Sequence, residues 1–199
     1  MKSLELTKPI TTESLLKEFE SRFNQTLDVS NYTREELEQM IIYNDRFPWF
    51  YQEKVAVKNL TETQPWNWYQ THIFYTHDEV RSDYYDKICD IFFPYFNDLR
   101  SLLRIKANFY PHTEILREHL SHIDYDFSCR AAIFSLNTCD GFTRMVDGTK
   151  IDSVKNRIVF FEGHTSHNSS TTTTSPVRWN INFNYLNTTD SINRRLTNK

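Results

Sequence analysis

The spacing of hydrophobic positions changes from helical to alternating near residue 102. Before that point Leu15, Leu16, Phe19 and Phe23 recur at helical spacing behind Thr11 and Thr12, which suit a cap. Thr33 and Glu36 fit a capping box opening a second helix, with Leu37, Met40 and Ile41 on one face. That helix ends by Phe47-Pro48-Trp49. A short strand at 55–57 and an extended stretch at 68–75 follow. Ser82 then opens a longer helix whose apolar stripe is Ile88, Ile91, Phe92, Tyr95 and Leu99. Pro94 must kink or divide it, because proline removes an N–H and its ring clashes with the preceding turn.

Beyond residue 102 the period is two. Ile105, Ala107 and Phe109 alternate with Lys106 and Asn108. Residues 129–136 and 158–161 are further strand candidates, and Asp140-Gly141 and Asp147-Gly148 mark turns around the short run 142–146. The clearest alternation is at 177–185, with Val177, Trp179, Ile181, Phe183 and Tyr185 against Arg178, Asn180, Asn182 and Asn184. The Ser/Thr run at 169–175 is expected as an exposed hairpin loop, and the end beyond Asn187 as a loose polar tail. Helices first and short strands later predict an α+β chain with a mainly β core, an antiparallel sandwich or barrel buttressed by helices. Residues 1–199 are expected to form a single domain, with 1–101 a helical and extended support region, 102–186 the core and 187–199 the tail.

Composition narrows the function. Three glycines and 15% aromatic residues in 199 favour a packed β core over a glycine-loop nucleotide binder. A formal charge of −3 argues against a broadly basic nucleic-acid surface. Cys89, Cys129 and Cys139 are odd in number and lack CxxC spacing, which points to reduced thiols and a cytoplasmic location. No apolar run suggests a membrane span or a signal peptide.

Two imidazoles and one carboxylate on one face of a metal are the donor set of mononuclear iron(II) oxygenases. A histidine and a carboxylate two residues apart on an extended segment point the same way, so H-x-D/E supplies two of the three ligands. Chance alone gives roughly one such pair in a chain of this composition. This chain has three, so context must choose: His77-Asp78-Glu79, His112-Thr113-Glu114 and His122-Ile123-Asp124. His77 lacks a strand setting, and His112 sits beside Pro111 as the more serious competitor. His122 and Asp124 are favoured because His167 lies 45 residues on, just past a strand, and Arg178 follows it by 11 on the alternating strand. A hairpin return would bring Arg178 near the metal. His164 is expected to be a loop residue. Trp66 and Trp68 read as core more readily than as a substrate groove, and Arg104 and Lys106 as a solvated strand face.

The order H-x-D, distal His, then Arg resembles the 2-oxoglutarate/Fe(II)-dependent dioxygenases, with a likeness to small prolyl-hydroxylase-like members, including those encoded by tailed phages. The stretches that carry it are Arg104-Ile105-Lys106-Ala107-Asn108, His122-Ile123-Asp124, 137–148, 156–161, and His167 through Arg178 to Tyr185. The resemblance implies a double-stranded β-helix (jelly roll) with iron held by His122, Asp124 and His167. It also implies 2-oxoglutarate anchored by Arg178, with Tyr110, Asn108 and Asn180 as further contacts. Many relatives carry Arg-x-Ser where this chain has Arg178-Trp179-Asn180, so an amide replaces the hydroxyl.

The implied reaction consumes O2 and 2-oxoglutarate, releases succinate and CO2, and hydroxylates a prime substrate, with ascorbate as a reductant. Asp124 fills the carboxylate position, so no site is left for a halide. A peptidyl residue, proline first, is the substrate implied. The rivals are a nucleic-acid base dioxygenase, marked by a basic groove leading to His122, and a non-catalytic jelly-roll binding module.

Overall fold

The computed structural model describes residues 31–56 and 64–187. The helix expected around 15–23 and the tail beyond Asn187 lie outside them. Helix α1 is Asn31–Ile41, followed by strands β1 (Phe50–Gln52), β2 (Tyr69–Thr76) and β3 (Glu79–Val80), then helix α2 (Tyr85–Phe92). The remaining strands are β4 (Leu99–Pro111), β5 (Arg130–Ser135), β6 (Phe142–Met145), β7 (Lys150–Asp152), β8 (Arg157–Glu162), β9 (His167–Ser169) and β10 (Val177–Asn187).

The strands form two antiparallel sheets. The larger runs β1-β2-β4-β10-β5-β8, with β3 beside β2, and the smaller runs β7-β6-β9. Single bridges extend the smaller sheet: Glu118 pairs with Ser170, and His122 with His167. The central ladder aligns Arg178 with Tyr110, Asn180 with Asn108, and Asn182 with Lys106. This register puts the polar phases of β4 and β10 on one face, since side chains alternate strictly along a strand. That face looks toward the smaller sheet and carries the site.

The opposite face is apolar. Ile105, Ala107, Ile181, Phe183 and Tyr185 pack with Phe134 and Ile158 against Leu37 and Ile41 of α1 and Ile88 and Phe92 of α2. The ring of Phe92 lies 4.8 Å from that of Phe183 and 4.9 Å from that of Phe134. The main hydrophobic core therefore lies between the large sheet and the helices, outside the space enclosed by the two sheets.

Several local expectations are corrected. Helix α1 is already running at Asn31, ahead of the capping box expected at Thr33. Of the strand expected at 55–57, Val55 and Ala56 lie in no strand, since Ala56 has φ 72°, which no extended strand accommodates, and Val57 lies outside the described residues; the short strand nearby is β1. Pro94 does divide the second helix as expected, α2 ending at Phe92 with a 3-10 turn over Phe93–Tyr95, but Leu99, expected on the helical stripe, opens β4. Ser82 does lie at its start, its carbonyl accepting from Tyr85 N at 3.0 Å and its hydroxyl from Tyr84 N at 3.2 Å.

The Ser/Thr run is not a hairpin, and its first part, 169–172, is buried while Thr174 is exposed. It crosses from the smaller sheet to the larger, and Ser170, Thr171 and Thr172 are each 0% exposed. Asp140 holds its far end, accepting from Thr172 Oγ1 at 2.7 Å and Thr173 N at 2.8 Å.

Candidate metal centre and its cavity

His122 and Asp124 sit on the extended segment that follows β4, and His167 opens β9. The backbones of the two histidines exchange hydrogen bonds, N to O at 2.8 and 2.9 Å. This bridge makes the pair local in space despite its separation in sequence, and one ligand atom from each of His122, Asp124 and His167 lies within 4.8 Å of the others. Among the described residues this is the cluster with metal-ligand character.

Each donor is prepared for a cation. Asp124 Oδ1 accepts from Arg104 Nη2 at 2.7 Å, and Oδ2 accepts from Asn184 Nδ2 at 2.8 Å and Asn182 Nδ2 at 3.4 Å. Burial works to raise the Asp124 pKa, but the Arg104 guanidinium, followed by His167 and Asn184, outweighs it and holds the carboxyl well below its usual range. Burial, then the neighbouring His167, pushes His122 down to about 4, so its imidazole is neutral at pH 7. His167 Nδ1 lies 2.9 Å from the Thr165 carbonyl, so it carries the proton and Nε2 is left for coordination. Two imidazoles and one carboxylate are the donor set that Fe(II) takes, and the residues present fit it.

A cavity of about 340 Å³, open mouth included, extends from these ligands. Lys106, Asn108, Tyr110, Ile133, Thr143, Ser169, Asn180 and Asn182 complete its lining. Arg178 lies behind it, 1% exposed. Its Nε donates to Ser153 Oγ at 3.0 Å, Nη2 to Thr143 Oγ1 at 3.0 Å and Nη1 to the Ser170 carbonyl at 3.3 Å. The guanidinium carbon also sits 5.3 Å from the Tyr110 ring centre. Gly141 makes room for this side chain: a Cβ there would lie 2.6 Å from Arg178 Cδ. Burial lowers the Arg178 pKa, and no carboxylate of the described residues pairs with it.

An enclosed guanidinium without a counter-ion is strongly unfavourable, so this end of the cavity suits an anion. Asn108 Nδ2 donates to Asn180 Oδ1 at 2.8 Å, while Asn108 Oδ1 is buried with no partner. Turning both amides over preserves the bond and presents Asn108 Nδ2 to the cavity as a donor. An amide pair thus stands where the hydroxyl of Arg-x-Ser was expected.

The other sequence candidates are elsewhere. His77 is exposed on the turn between β2 and β3, with φ 52°, and His164 is exposed after β8. His112 is exposed and bridges Thr172. Trp66 packs at a tilt on His119, centres 5.8 Å apart, and Trp68 stacks on Phe109 at 6.3 Å; neither lines the cavity.

Arg104 and Lys106 are not a solvated face. Arg104 holds Asp124, and Lys106 lines the cavity. Burial and then Arg104 lower Lys106 to about 7, with Asp124 opposing. The signal that would have found them was the shared polar phase of 104–108 and 178–184. Nothing in the sequence marks Thr143 or Ser153.

A large sheet facing a smaller one, with the ligands on their shared edge, defines a double-stranded β-helix, the jelly-roll architecture. No protein-family profile matches this sequence, and no curated protein sequence does. Solved structures do match. A prolyl hydroxylase from Trichoplax adhaerens, in complex with a hypoxia inducible factor oxygen degradation domain peptide fragment, aligns with TM-score 0.55 and 14% identity, over 92% of this chain and 96% of that one. The viral collagen prolyl hydroxylase of Paramecium Bursaria Chlorella virus-1, as its 2OG complex, gives 0.52 and 12% over 84% and 98%. SnoN, a non-heme α-ketoglutarate-dependent epimerase from nogalamycin biosynthesis, gives 0.58 and 12% over 88% and 84%. At these identities the likeness is one of fold.

Proposed function

We propose that this protein is an Fe(II)- and 2-oxoglutarate-dependent oxygenase that hydroxylates a peptidyl residue, proline first, with succinate and CO2 as co-products. The observation that carries the reading is Arg178. A guanidinium 1% exposed, with no carboxylate partner among the described residues, stands behind a cavity that opens on His122, Asp124 and His167. The three ligands would hold iron, which supplies the activation of O2 coupled to oxidation of the cosubstrate. Arg178 would bind the distal carboxylate in a charge-assisted contact, with Tyr110 walling that end and Asn108 and Asn180 offering an amide donor midway. Asp124, fixed by Arg104 and Asn184, keeps its carboxylate ionised and oriented. The peptide substrate is supported by the shared fold with prolyl hydroxylases, one of them solved with a peptide.

The test is twofold. Wild-type protein with Fe(II), ascorbate and 2-oxoglutarate should release succinate, slowly without prime substrate and faster with a proline-containing peptide. Arg178→Ala should weaken 2-oxoglutarate binding about tens- to thousands-fold, as loss of one partner from a buried charge pair does, while sparing metal binding. Lys at this position should recover only part, having lost the planar fork. A wild-type protein that binds Fe(II) but not 2-oxoglutarate would end the proposal.

A further inference from the structure

Lys106 has no role in the site as described so far. It lines the cavity beside the metal ligands and is half-buried, a costly place for an ammonium. Its Nζ lies 5.6 Å from the centre of the Tyr69 ring, and no carboxylate of the described residues forms an ion pair with it. The other cations of this face are matched. Arg104 has Asp124 at 2.7 Å, and Arg178 awaits the distal carboxylate of the cosubstrate. With iron and a doubly charged cosubstrate in place the site keeps a net positive charge, and Lys106 is the cation there that no carboxylate of the described residues or of the cosubstrate meets.

The ladder shows which ligand can reach it. Lys106 is in register with Asn182, and Tyr110 with Arg178. Four residues of strand separate these levels, about 13 Å at the usual rise. Asp124 is held at the Asn182 and Asn184 level, so the metal lies toward the Lys106 end. A five-carbon diacid anchored on Arg178 is consumed in reaching the metal and does not extend past it. Lys106 therefore faces the side on which the prime substrate arrives. Ile73, in register with Lys106 on β2, is the apolar neighbour there.

On the oxygenase reading above, we infer that the prime substrate carries a carboxylate close to the carbon that is oxidised, and that Lys106 binds it. The carboxylate comes either from an acidic residue beside the target in a peptide or from the free carboxyl end of a small acid. Lys106 is then a specificity-determining residue: a neutral analogue of the substrate forgoes the charge-assisted contact with it and binds more weakly for that reason.

Binding is measured on full-length protein loaded with Mn(II) and 2-oxoglutarate, which does not turn over. The peptide-arm probes are N-acetyl-prolyl-glutamate amide and its glutamine counterpart; the free-acid-arm probes are N-acetylproline and its amide. In at least one arm the carboxylate probe should bind about tenfold or more tightly than the amide, the scale of a charge-assisted hydrogen bond. Which arm shows it identifies the source. Lys106→Met should remove the preference and Lys106→Arg should retain most of it, with 2-oxoglutarate affinity as the control.

Equal binding of acid and amide in both arms, including no binding of either, overturns the inference. So does a preference that survives in Lys106→Met. A loss of 2-oxoglutarate binding in Lys106→Met also overturns it, by placing Lys106 on the cosubstrate instead. Failure of the wild type to bind 2-oxoglutarate is a different result, and it sinks the oxygenase reading itself.

Discussion

The two faces of β10 are almost equally buried and chemically opposite. On one, Ile181, Phe183 and Tyr185 are at most 1% exposed and pack on the helices; on the other, Arg178, Asn180, Asn182 and Asn184 are at most 7% exposed and line or flank the site. Burial by itself therefore says nothing about what a residue of this strand does. The apolar face gains by leaving water, and its neighbours are interchangeable within limits of volume. The polar face is stable only because nearly every group on it is answered by a named partner, such as Asn184 by both Arg104 and Asp124. One face holds the sheet in place, and the other positions charge.

The sharpest way to break this comparison is Asp124→Ala. It removes a proposed metal ligand and strands the Arg104 guanidinium, so metal-dependent succinate release should fall to background while the fold persists by circular dichroism. His112→Ala, made in parallel, should keep most of the activity, since His112 is exposed and outside the ligand cluster. Full activity in Asp124→Ala would dissolve the assignment.

Phe183→Ala attacks the other face. Its ring packs between Phe92 and Phe96, at 4.8 and 5.1 Å, so truncation should cost about 3–5 kcal/mol in urea unfolding. Metal affinity of the remaining folded protein should change little.

Asn184→Ala reverses that pattern. Losing the bond to Asp124 should weaken Mn(II) or Fe(II) binding about 10–100-fold, as partners behind metal ligands do. Ile181→Val, one strand neighbourhood away on the apolar face, should cost about 0.5–1.5 kcal/mol and leave metal affinity alone. If the two variants lowered metal affinity equally, the division of labour between the faces would be wrong.

The remaining effect is pH-dependent. Burial, then the Arg178 charge, pushes His119 from 6.5 down to about 3 in the folded protein. The folded state thus favours the neutral ring, and the unfolded chain binds the proton more readily. That contribution is complete above pH 6.5 and is lost as pH falls toward 3, at no more than about 1.4 kcal/mol per pH unit. His119→Phe should flatten this part of the stability profile, measured by denaturation of the metal-free protein. An unchanged slope in the variant would mean that other groups titrate there.

The alternation at 177–185 was legible because a strand in a sheet has a strict two-residue period. It placed Arg178 on the polar phase before any coordinates. The H-x-D spacing was legible for a related reason, since residues two apart share a face. Pro94 marked the break in the helix, but the stripe from Ile88 was carried on to Leu99 because Leu99 satisfies a strand as well as a stripe. The Ser/Thr run misled because its composition is that of an exposed loop. Its polar groups are instead satisfied internally, by Asp140 and by bridges to the segment after β4.

Sequence alone thus determined the phase of the later strands, the helices around 31–41 and 85–92, and the order of the candidate ligand types. These are properties of local geometry, written within a few residues of one another. Only the tertiary structure decided that β9 and β10 belong to different sheets, that Arg104 restrains Asp124 across 20 positions, and that Lys106 faces the cavity unmatched. Those facts depend on which strands lie side by side and in what register, and pairing energy is spread over the whole ladder and recorded at no single residue.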